Sequence, residues 1–292
     1  MGKVRIGTSG WSYDSWRGDF YPSDLRRGRE LQYISRRLDT VEVNGSFYSL
    51  LRPETYESWY SEVQDGFVFA IKGSRFITHN KKLVDVETPL ANFLASGVLA
   101  LRERLGPIVW QLSDALRFEA NRIEGFLGML PHDLKEALRL ARKHDHRVEG
   151  RSYLRVERNH RIRHAIEVRN ESFFVPEFVR IARRTGTAIV FSDAADWPYI
   201  EEVTAGFVYV RLHGHTETYA SGYSGKSLDA WSERLQTWHR GDQPTGAHTI
   251  TDLNPPQRQE RDVYVYFDND QRGRAPHDAC DLVDRIRGKG DR

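Results

Sequence analysis

The segment FVYVRLHG, residues 207–214, alternates between two kinds of side chain, and this alternation indicates how the whole chain folds. One face of the predicted strand carries Val208, Val210 and Leu212. The other face carries Phe207, Tyr209, Arg211 and His213, and changes from aromatic to charged along the strand. Successive side chains of a strand point to opposite faces. The charged end therefore indicates either the polar mouth of a cup or the wet face of an edge strand.

The same gradient occurs in five other strand-like segments, which favours the cup. In TVEVN, residues 40–44, the two valines share one face while Glu42 and Asn44 share the other. The segments at 67–72, 107–112, 164–169 and 263–270 follow the same rule, with a polar or charged side chain near the end of the inward face. A cup lined by many strands therefore accounts for the pattern better than a single edge strand.

Eight strand-like segments alternate with helical patterns along the chain. The predicted strands are residues 4–8, 40–44, 67–72, 107–112, 164–169, 187–193, 207–214 and 263–270. The predicted helices are residues 31–38, 54–63, 89–105, 123–144, 176–185, 228–240 and 275–287. Such alternation predicts an α/β protein, a closed (β/α)₈ TIM-type barrel, with a doubly wound open sheet as the alternative. With no internal repeat or linker, we expect one domain over residues 1–292.

Composition excludes several classes of protein. The net charge is +2, with 43 basic and 41 acidic residues, so no strong global field attracts nucleic acid. No apolar run approaches the roughly 20 residues of a membrane helix, and the chain enters a strand at residue 4 without a signal peptide. We therefore expect a cytoplasmic protein with no membrane partner. The single cysteine, Cys280, excludes an internal disulfide framework and a cysteine-cluster metal site.

Polar side chains gather at the carboxyl ends of the predicted strands, where barrel enzymes place their active sites. They are Ser9, Glu42, Asn44, Lys72, Gln111, Glu167, Arg169, Asp193, Arg211, His213, Asp268 and Asn269. Asp193 fits least well, because its parity places it with the apolar side chains of its strand. Burying so many charges is costly unless they are paired or solvated. The pattern predicts a site for a polar, anionic substrate; the alternative is a compensated ion-pair network that closes the barrel.

Residue type suggests a role for each member of this group. Glu42, Glu167 and Asp268 are candidates for general acid and base, and His213 for a proton carrier. Lys72 is a candidate nucleophile or, with Arg169 and Arg211, an anion clamp. Gln111 is expected to bind substrate, and the loop aromatics, Trp11 and Tyr48 among them, to stack on a ring or to pack over the rim.

A metal is also a hypothesis at this stage. His213 and His215 have the spacing of two ligands from one strand, and Glu42, Glu167 or Asp268 would complete a divalent site. An isolated H-x-H pattern is not decisive, so the metal and any cofactor stay open.

The chain also resembles a known family through several dense motifs. They are GTSGW (7–11), W-x-G-x-FYP (16–22), VEVN with SFY (41–48), FVFAIKGSRFITH (67–79), IEVRNESF (166–173), YVRLHG (209–214) and YVYFDND (264–270). Together they are similar to those of the YecE-like family, domain of unknown function 72, over about residues 4–285. The resemblance implies a TIM-type barrel and assigns no activity. The motif positions are held here by Trp11, Glu42, Asn44, Lys72, His79, Glu167, Arg169, Arg211, His213, Asp268 and Asn269.

Three functional hypotheses follow. The leading one is a barrel enzyme, such as a hydrolase or lyase with carboxylate acid and base, acting on a small anionic or phosphate-bearing substrate. The second is a nucleic-acid-binding protein or a phosphodiesterase resembling barrel endonucleases, suggested by the arginine-rich stretch 147–164 and opposed by the near-neutral charge. The third is a non-catalytic barrel adaptor. The sequence leaves the substrate, the reaction and the oligomeric state open.

Overall fold

Eight parallel strands, paired in chain order, close into a barrel in the computed structural model, which describes residues 2–195, 197–214, 216–257 and 259–288. The strands are β1 (Val4–Ser9), β2 (Thr40–Val43), β3 (Val68–Lys72), β4 (Leu105–Gln111), β5 (His164–Glu167), β6 (Ala188–Asp193), β7 (Phe207–Leu212) and β8 (Asp262–Phe267). The chain order β1 to β8 around the barrel is that of the TIM-type (β/α)₈ fold. The predicted fold class is confirmed, and the open-sheet alternative is wrong.

Helices follow most of the strands. They are α1 (Glu30–Ile34), α2 (Gly45–Tyr48), α3 (Pro53–Glu62), α4 (Glu87–Ala95), α5 (Ala120–Gly128), α6 (Leu134–Ala141), α7 (Pro176–Arg184), α8 (Gly225–His239) and α9 (Ala275–Arg287). A π-helical turn covers Phe76–Asn80, and 3₁₀ segments cover Asp14–Trp16, Val98–Arg104, His146–Val148 and Glu171–Phe173. No helix of the described residues combines the length and apolar character needed to span a bilayer.

Three of the predicted helices are wrong in extent, and the one predicted over residues 31–38 ends at Ile34. The predicted helix 123–144 is two helices, because α5 ends at Gly128 and Pro131 precedes a new start. Asp133 caps that start by accepting a hydrogen bond from Glu136 N at 2.8 Å. The predicted helix 89–105 ends at Ala95, and Gly97 then takes a φ of +128°, which favours glycine.

By backbone contacts the chain divides into two compact units, called unit 1 and unit 2 below. Unit 1 comprises Met1–Glu42 and Ala188–Arg292, and unit 2 comprises Val43–Thr187. Strands β1, β6, β7 and β8 and most of β2 belong to unit 1, while β3, β4 and β5 belong to unit 2. The single domain over residues 1–292 stays a prediction.

Side-chain contacts show which face of a strand points inward. In unit 1, Glu42 on β2 hydrogen-bonds to Tyr209 and Arg211 on β7. In the strand order, β1 and β8 separate these two strands, so their side chains meet across the barrel interior. In unit 2, Trp110 packs against Phe93 of α4 and Phe126 of α5 and therefore faces the helices. The alternation predicted from the sequence is confirmed at these positions.

Several strands end earlier than predicted. The strands β2, β5, β7 and β8 end at Val43, Glu167, Leu212 and Phe267. The polar residues that follow them, Asn44, Arg169, His213, Asp268 and Asn269, are therefore loop residues and not strand residues. At Asn44 the reason is local, since its backbone is already helical (φ −88°, ψ −25°) and forms the N-cap of α2.

Candidate functional site

In unit 1, a single buried carboxylate organises the strand-end residues. Glu42 accepts hydrogen bonds from Ser9 Oγ (2.7 Å), Tyr209 Oη (2.6 Å) and Arg211 Nη2 (2.8 Å). These donors come from β1 and β7, so the position of Glu42 depends on the relative register of several strands. Charge-assisted bonds of this kind compensate the cost of burying the carboxylate. Glu42 therefore holds Arg211 and Tyr209 in place.

Arg211 links Glu42 to a second carboxylate. Its Nη2 lies 2.8 Å from Glu42 Oε1 and 2.8 Å from Asp268 Oδ2, and its side chain is only 1% exposed. Asp268 is the more accessible carboxylate, with 18% of its side chain exposed, and its Oδ2 lies 3.2 Å from His213 Nδ1. Arg211, His213 and Asp268 thus form one connected group, in which Asp268 is the partly exposed member.

His213 is enclosed by aromatic rings. The centroid of Trp197 lies 4.5 Å from that of His213, and the centroid of Tyr219 lies 5.4 Å away. This packing fixes the imidazole beside Asp268. The second histidine of the H-x-H pattern, His215, lies outside the described residues. Among the residues that the structure describes, no group of three or more His, Cys, Asp or Glu side chains is arranged to hold a metal ion.

A neighbouring carboxylate, Asp270, was missed by the sequence analysis. Asp270 accepts a hydrogen bond from Trp16 Nε1. Burial raises the pKa of Asp270 to about 6. The hydrogen bond from Trp16 lowers this pKa, and the negative charge of Asp268 raises it. The spacing D-x-D in the segment FDND is the signal that could have found it, because parity along the predicted strand 263–270 places Asp270 on the same face as Asp268.

Three predicted unit 1 residues have structural contacts of their own. Asn269 Nδ2 donates to Asp278 Oδ2 at 2.8 Å and to Ser221 O at 3.0 Å, which ties the end of β8 to α9 and to the loop before α8. The backbone carbonyl of Trp11 accepts a hydrogen bond from Tyr21 Oη at 2.6 Å. Asp193, the weakest candidate by parity, accepts instead from Tyr223 Oη at 2.9 Å.

In unit 2, a cation and an imidazole share one aromatic ring. The Nζ atom of Lys72, at the end of β3, lies 4.5 Å from the ring centroid of Phe47 in α2. His79, in the π-helical turn, meets the same ring edge-on with a centroid distance of 5.2 Å. Its Nδ1 lies 2.9 Å from Thr78 Oγ1. Burial lowers the pKa of His79, and the charges of Arg75, Arg169 and Lys72 lower it further, against Asp114.

The next two strands of unit 2 add an amide and a carboxylate. Gln111 on β4 and Glu167 on β5 are register neighbours in the parallel sheet. Glu167 is fully buried, and its Oε1 lies 3.3 Å from Arg169 Nη2. Gln111 is 6% exposed, and its buried Oε1 accepts no hydrogen bond from any residue in the described part of the chain. A buried acceptor of this kind is costly unless a bound molecule supplies a donor.

Comparison with known proteins identifies the family. The model of the family described as Protein of unknown function DUF72 matches residues 5–292. The chain belongs to the DUF72 family. It is similar to the UPF0759 protein YunF of Bacillus subtilis (strain 168), with 24% identity over 304 aligned positions that cover 97% of this chain and 94% of YunF.

Solved DUF72 structures support the same fold for this chain. A DUF72 family protein from Thermotoga maritima MSB8 shares 21% identity and superimposes with a TM-score of 0.70, over 97% of this chain and 98% of that one. Another, from Enterococcus faecalis V583, shares 16% identity with a TM-score of 0.69, over 97% and 95% of the two chains. At these identities the likeness shows the fold alone, and the family resemblance expected from the motifs is confirmed.

The predicted site residues of this DUF72 chain thus fall into two described groups. The unit 1 group contains Ser9, Glu42, Arg211, His213 and Asp268. The unit 2 group contains Lys72, His79, Gln111, Glu167 and Arg169. Tyr48 follows Phe47 in α2 and is 68% exposed, and Asn44 caps that helix. One shared mouth for all of these residues stays a prediction.

Proposed function

We propose that this DUF72 protein is an enzyme that binds a small anionic, phosphate-bearing substrate through its unit 2 group. The observation that carries the proposal is the local excess of positive charge at His79. Burial is the main cause of the lowered pKa of His79; the charges of Arg75, Arg169 and Lys72 lower it further, and Asp114 opposes them. The part of the shift that these three cations cause indicates a positive field, and such a field stabilises a negatively charged group.

The anion would be held by charge-assisted hydrogen bonds. Lys72 and Arg169 are fixed cations, and His79 supplies a ring nitrogen beside them. The stem of Lys72 is buried and its ammonium faces the Phe47 ring, which fixes the direction of the charge.

The remaining unit 2 groups would act on the rest of the substrate. The Oε1 atom of Gln111 is an acceptor for a substrate hydroxyl or amine. Glu167, beside Arg169, is the general acid or base of this group. These roles fit a hydrolase or lyase.

Within unit 1, we assign the acid–base role to Asp268 and His213 and a positioning role to Glu42. Asp268 is partly exposed and lies 3.2 Å from the imidazole, whereas both oxygens of Glu42 already accept hydrogen bonds from Ser9, Tyr209 and Arg211. A proton taken up by Asp268 passes to the imidazole over that distance. Arg211 bridges the two carboxylates.

A calorimetric titration with inorganic phosphate at low ionic strength tests the proposal. Lys72→Ala is expected to weaken phosphate binding by about tenfold or more, because it removes one charge-assisted contact. Lys135→Ala is the matched control, since Lys135 is an exposed lysine on α6 of the same unit. Equal affinities of the wild-type protein and Lys72→Ala would refute the anion site.

The two other hypotheses give different results in simple experiments. A nucleic-acid-binding protein would bind oligonucleotides with an affinity that falls steeply as salt rises. A non-catalytic adaptor would keep its partner after loss of Lys72 and Asp268. The cytoplasmic location also stays a prediction from the sequence.

A further inference from the structure

A groove at the other end of the unit 2 strands has no role in the proposed function. It has a volume of about 430 Å³ and is lined by Tyr60, Arg102, Tyr153, Arg155, Arg158 and His160, among others. Arg102 lies just before β4, and Arg158 and His160 lie just before β5. The groove is therefore at the amino ends of β4 and β5, whereas Gln111 and Glu167 are at their carboxyl ends. A strand the length of β4 spans roughly 20 Å.

Arg102 has an unusual backbone conformation. Its φ is +51° and its ψ is −125°, inside the segment Val98–Arg104. This region favours glycine, and a residue with a Cβ atom is strained there. Strain of this kind persists where the surrounding structure holds it, and it concentrates at binding sites. The sequence places an arginine where glycine would be relaxed.

Neighbouring side chains hold the Arg102 guanidinium at the groove. Its Cζ lies 5.0 Å from the Tyr60 ring centroid, and its Nη2 lies 3.8 Å from Glu157 Oε1. Arg104 supports the same ring, with its Cζ at 4.4 Å, while its Nη1 donates to Val63 O at 2.5 Å. Contacts with these two arginines therefore hold the Tyr60 ring in place.

The charge of the groove is positive. Three arginines, Arg102, Arg155 and Arg158, stand against two carboxylates, Glu103 and Glu157, and His160 adds an imidazole to the same lining. Glu103 already accepts a hydrogen bond from Tyr60 Oη at 2.6 Å, and Glu157 lies 3.8 Å from Arg102 Nη2. Arginine forks bind phosphate oxygens in pairs, so this composition favours an oxyanion.

We propose that this groove is a binding site for a small molecule that carries a phosphate or pyrophosphate group, and that Arg102 is the main residue that binds this group. Its volume falls in the range of about 300–1,000 Å³ that is typical of small-molecule pockets. It exceeds the needs of a single oxyanion, which favours pyrophosphate or an organic phosphate. The site is separate from the anion site proposed around Lys72.

Arg102→Gly is the decisive variant, because glycine relaxes the backbone at the same time as it removes the guanidinium. We expect this variant to unfold at the same temperature as the wild-type protein or a higher one. Its affinity for pyrophosphate, measured by calorimetry, is expected to fall by about tenfold or more. All titrations use a Lys72→Ala background, so that binding at the strand carboxyl ends does not contribute.

Three results would overturn the proposal. Arg139→Ala is the matched control, since Arg139 is an exposed arginine on α6 of the same unit, and an equal loss of affinity there would indicate only general charge. A lower unfolding temperature of Arg102→Gly with unchanged affinity would make Arg102 a packing residue. Retention of a single-stranded oligonucleotide without pyrophosphate binding would make the groove a nucleic-acid surface. Orthophosphate and citrate, titrated in parallel, separate a phosphate site from a carboxylate site.

Discussion

The two strand-end groups of this protein use similar side chains in different ways. In unit 1, Glu42 receives three hydrogen bonds from protein donors, and Arg211 bridges Glu42 and Asp268. In unit 2, burial and then three nearby cations lower the pKa of His79, and Gln111 Oε1 is a buried acceptor that receives no hydrogen bond from the described residues. The first group is held by hydrogen bonds among its own side chains, while the second contains a buried acceptor, Gln111 Oε1, that has no donor from the described residues.

The sequence left open whether the strand-end charges form an ion-pair network or an anion-binding site, and the two units differ in which of these they favour. A compensated ion-pair network describes the surroundings of Glu42, and the surroundings of Lys72 and His79 are where we propose the anion-binding site. Residue type alone does not separate the two, because both groups contain carboxylates and cations at strand ends. The separation depends on which groups have protein donors within reach.

The largest expected effect comes from breaking the unit 1 network. Arg211→Ala leaves Glu42 and Asp268 without the cation between them, and loss of one partner of a buried ion pair costs about 3–5 kcal/mol. We therefore expect the free energy of unfolding, measured with urea, to fall by about that amount. Lys72→Met keeps the apolar stem over Phe47 and is expected to cost less than about 1.5 kcal/mol. A cost below about 1 kcal/mol for Arg211→Ala would show that Arg211 serves a ligand and not the fold.

A smaller effect on the free energy of unfolding is expected from a comparison of the Glu42 carboxylate, which accepts protein hydrogen bonds, with Gln111 Oε1, which accepts none from the described residues. Tyr209→Phe removes a donor to the buried Glu42 carboxylate, and a hydrogen bond to a charged group contributes about 1.5–3 kcal/mol. Gln111→Leu removes an acceptor that has no donor from the described residues, so the free energy of unfolding should change by less than about 1 kcal/mol. Urea unfolding of both variants measures the difference. A larger cost for Gln111→Leu than for Tyr209→Phe would contradict the contrast between the two units.

The sequence predicts the fold well because strand and barrel depend on local alternation. All eight predicted strands are present, and the face that carries Glu42, Tyr209 and Arg211 points inward as expected. The errors lie where one residue changes the backbone, such as Pro131 between α5 and α6, Asn44 at the cap of α2, and Arg102 at a positive φ. The π-helical turn that carries His79 also has no simple sequence signal.

The site is predicted less completely because its chemistry depends on distances across strands. Parity places Glu42, Arg211 and Asp268 at strand ends, but it does not show that Ser9 and Tyr209 both reach Glu42. Nor does parity reveal that Asp270 is half-buried against Trp16, since that contact joins residues 254 positions apart. Register and burial decide which carboxylate is saturated and which is accessible.

The smallest expected effect is a difference of sign in the pH dependence of the two units. The folded-state pKa of His79 is lowered from 6.5, chiefly by burial and then by nearby cations. The unfolded chain therefore binds more protons below pH 6.5, and the contribution of His79 to stability rises as the pH rises toward 6.5. Asp270 behaves in the opposite way, because burial raises its folded-state pKa from 3.8 to about 6. Its contribution is present below pH 3.8 and is lost as the pH rises through about 6.

Nuclear magnetic resonance titration of the two side chains separates these contributions. Lys72→Ala should raise the pKa of His79, since it removes one of the cations that lower it. Asp268→Asn should lower the pKa of Asp270, since it removes a neighbouring negative charge. Lys135→Ala serves as the control for both, because an exposed lysine on α6 contributes to neither shift. If His79 keeps its pKa in Lys72→Ala, the positive field in unit 2 arises from Arg75 and Arg169, and the anion-binding role of Lys72 passes to those arginines.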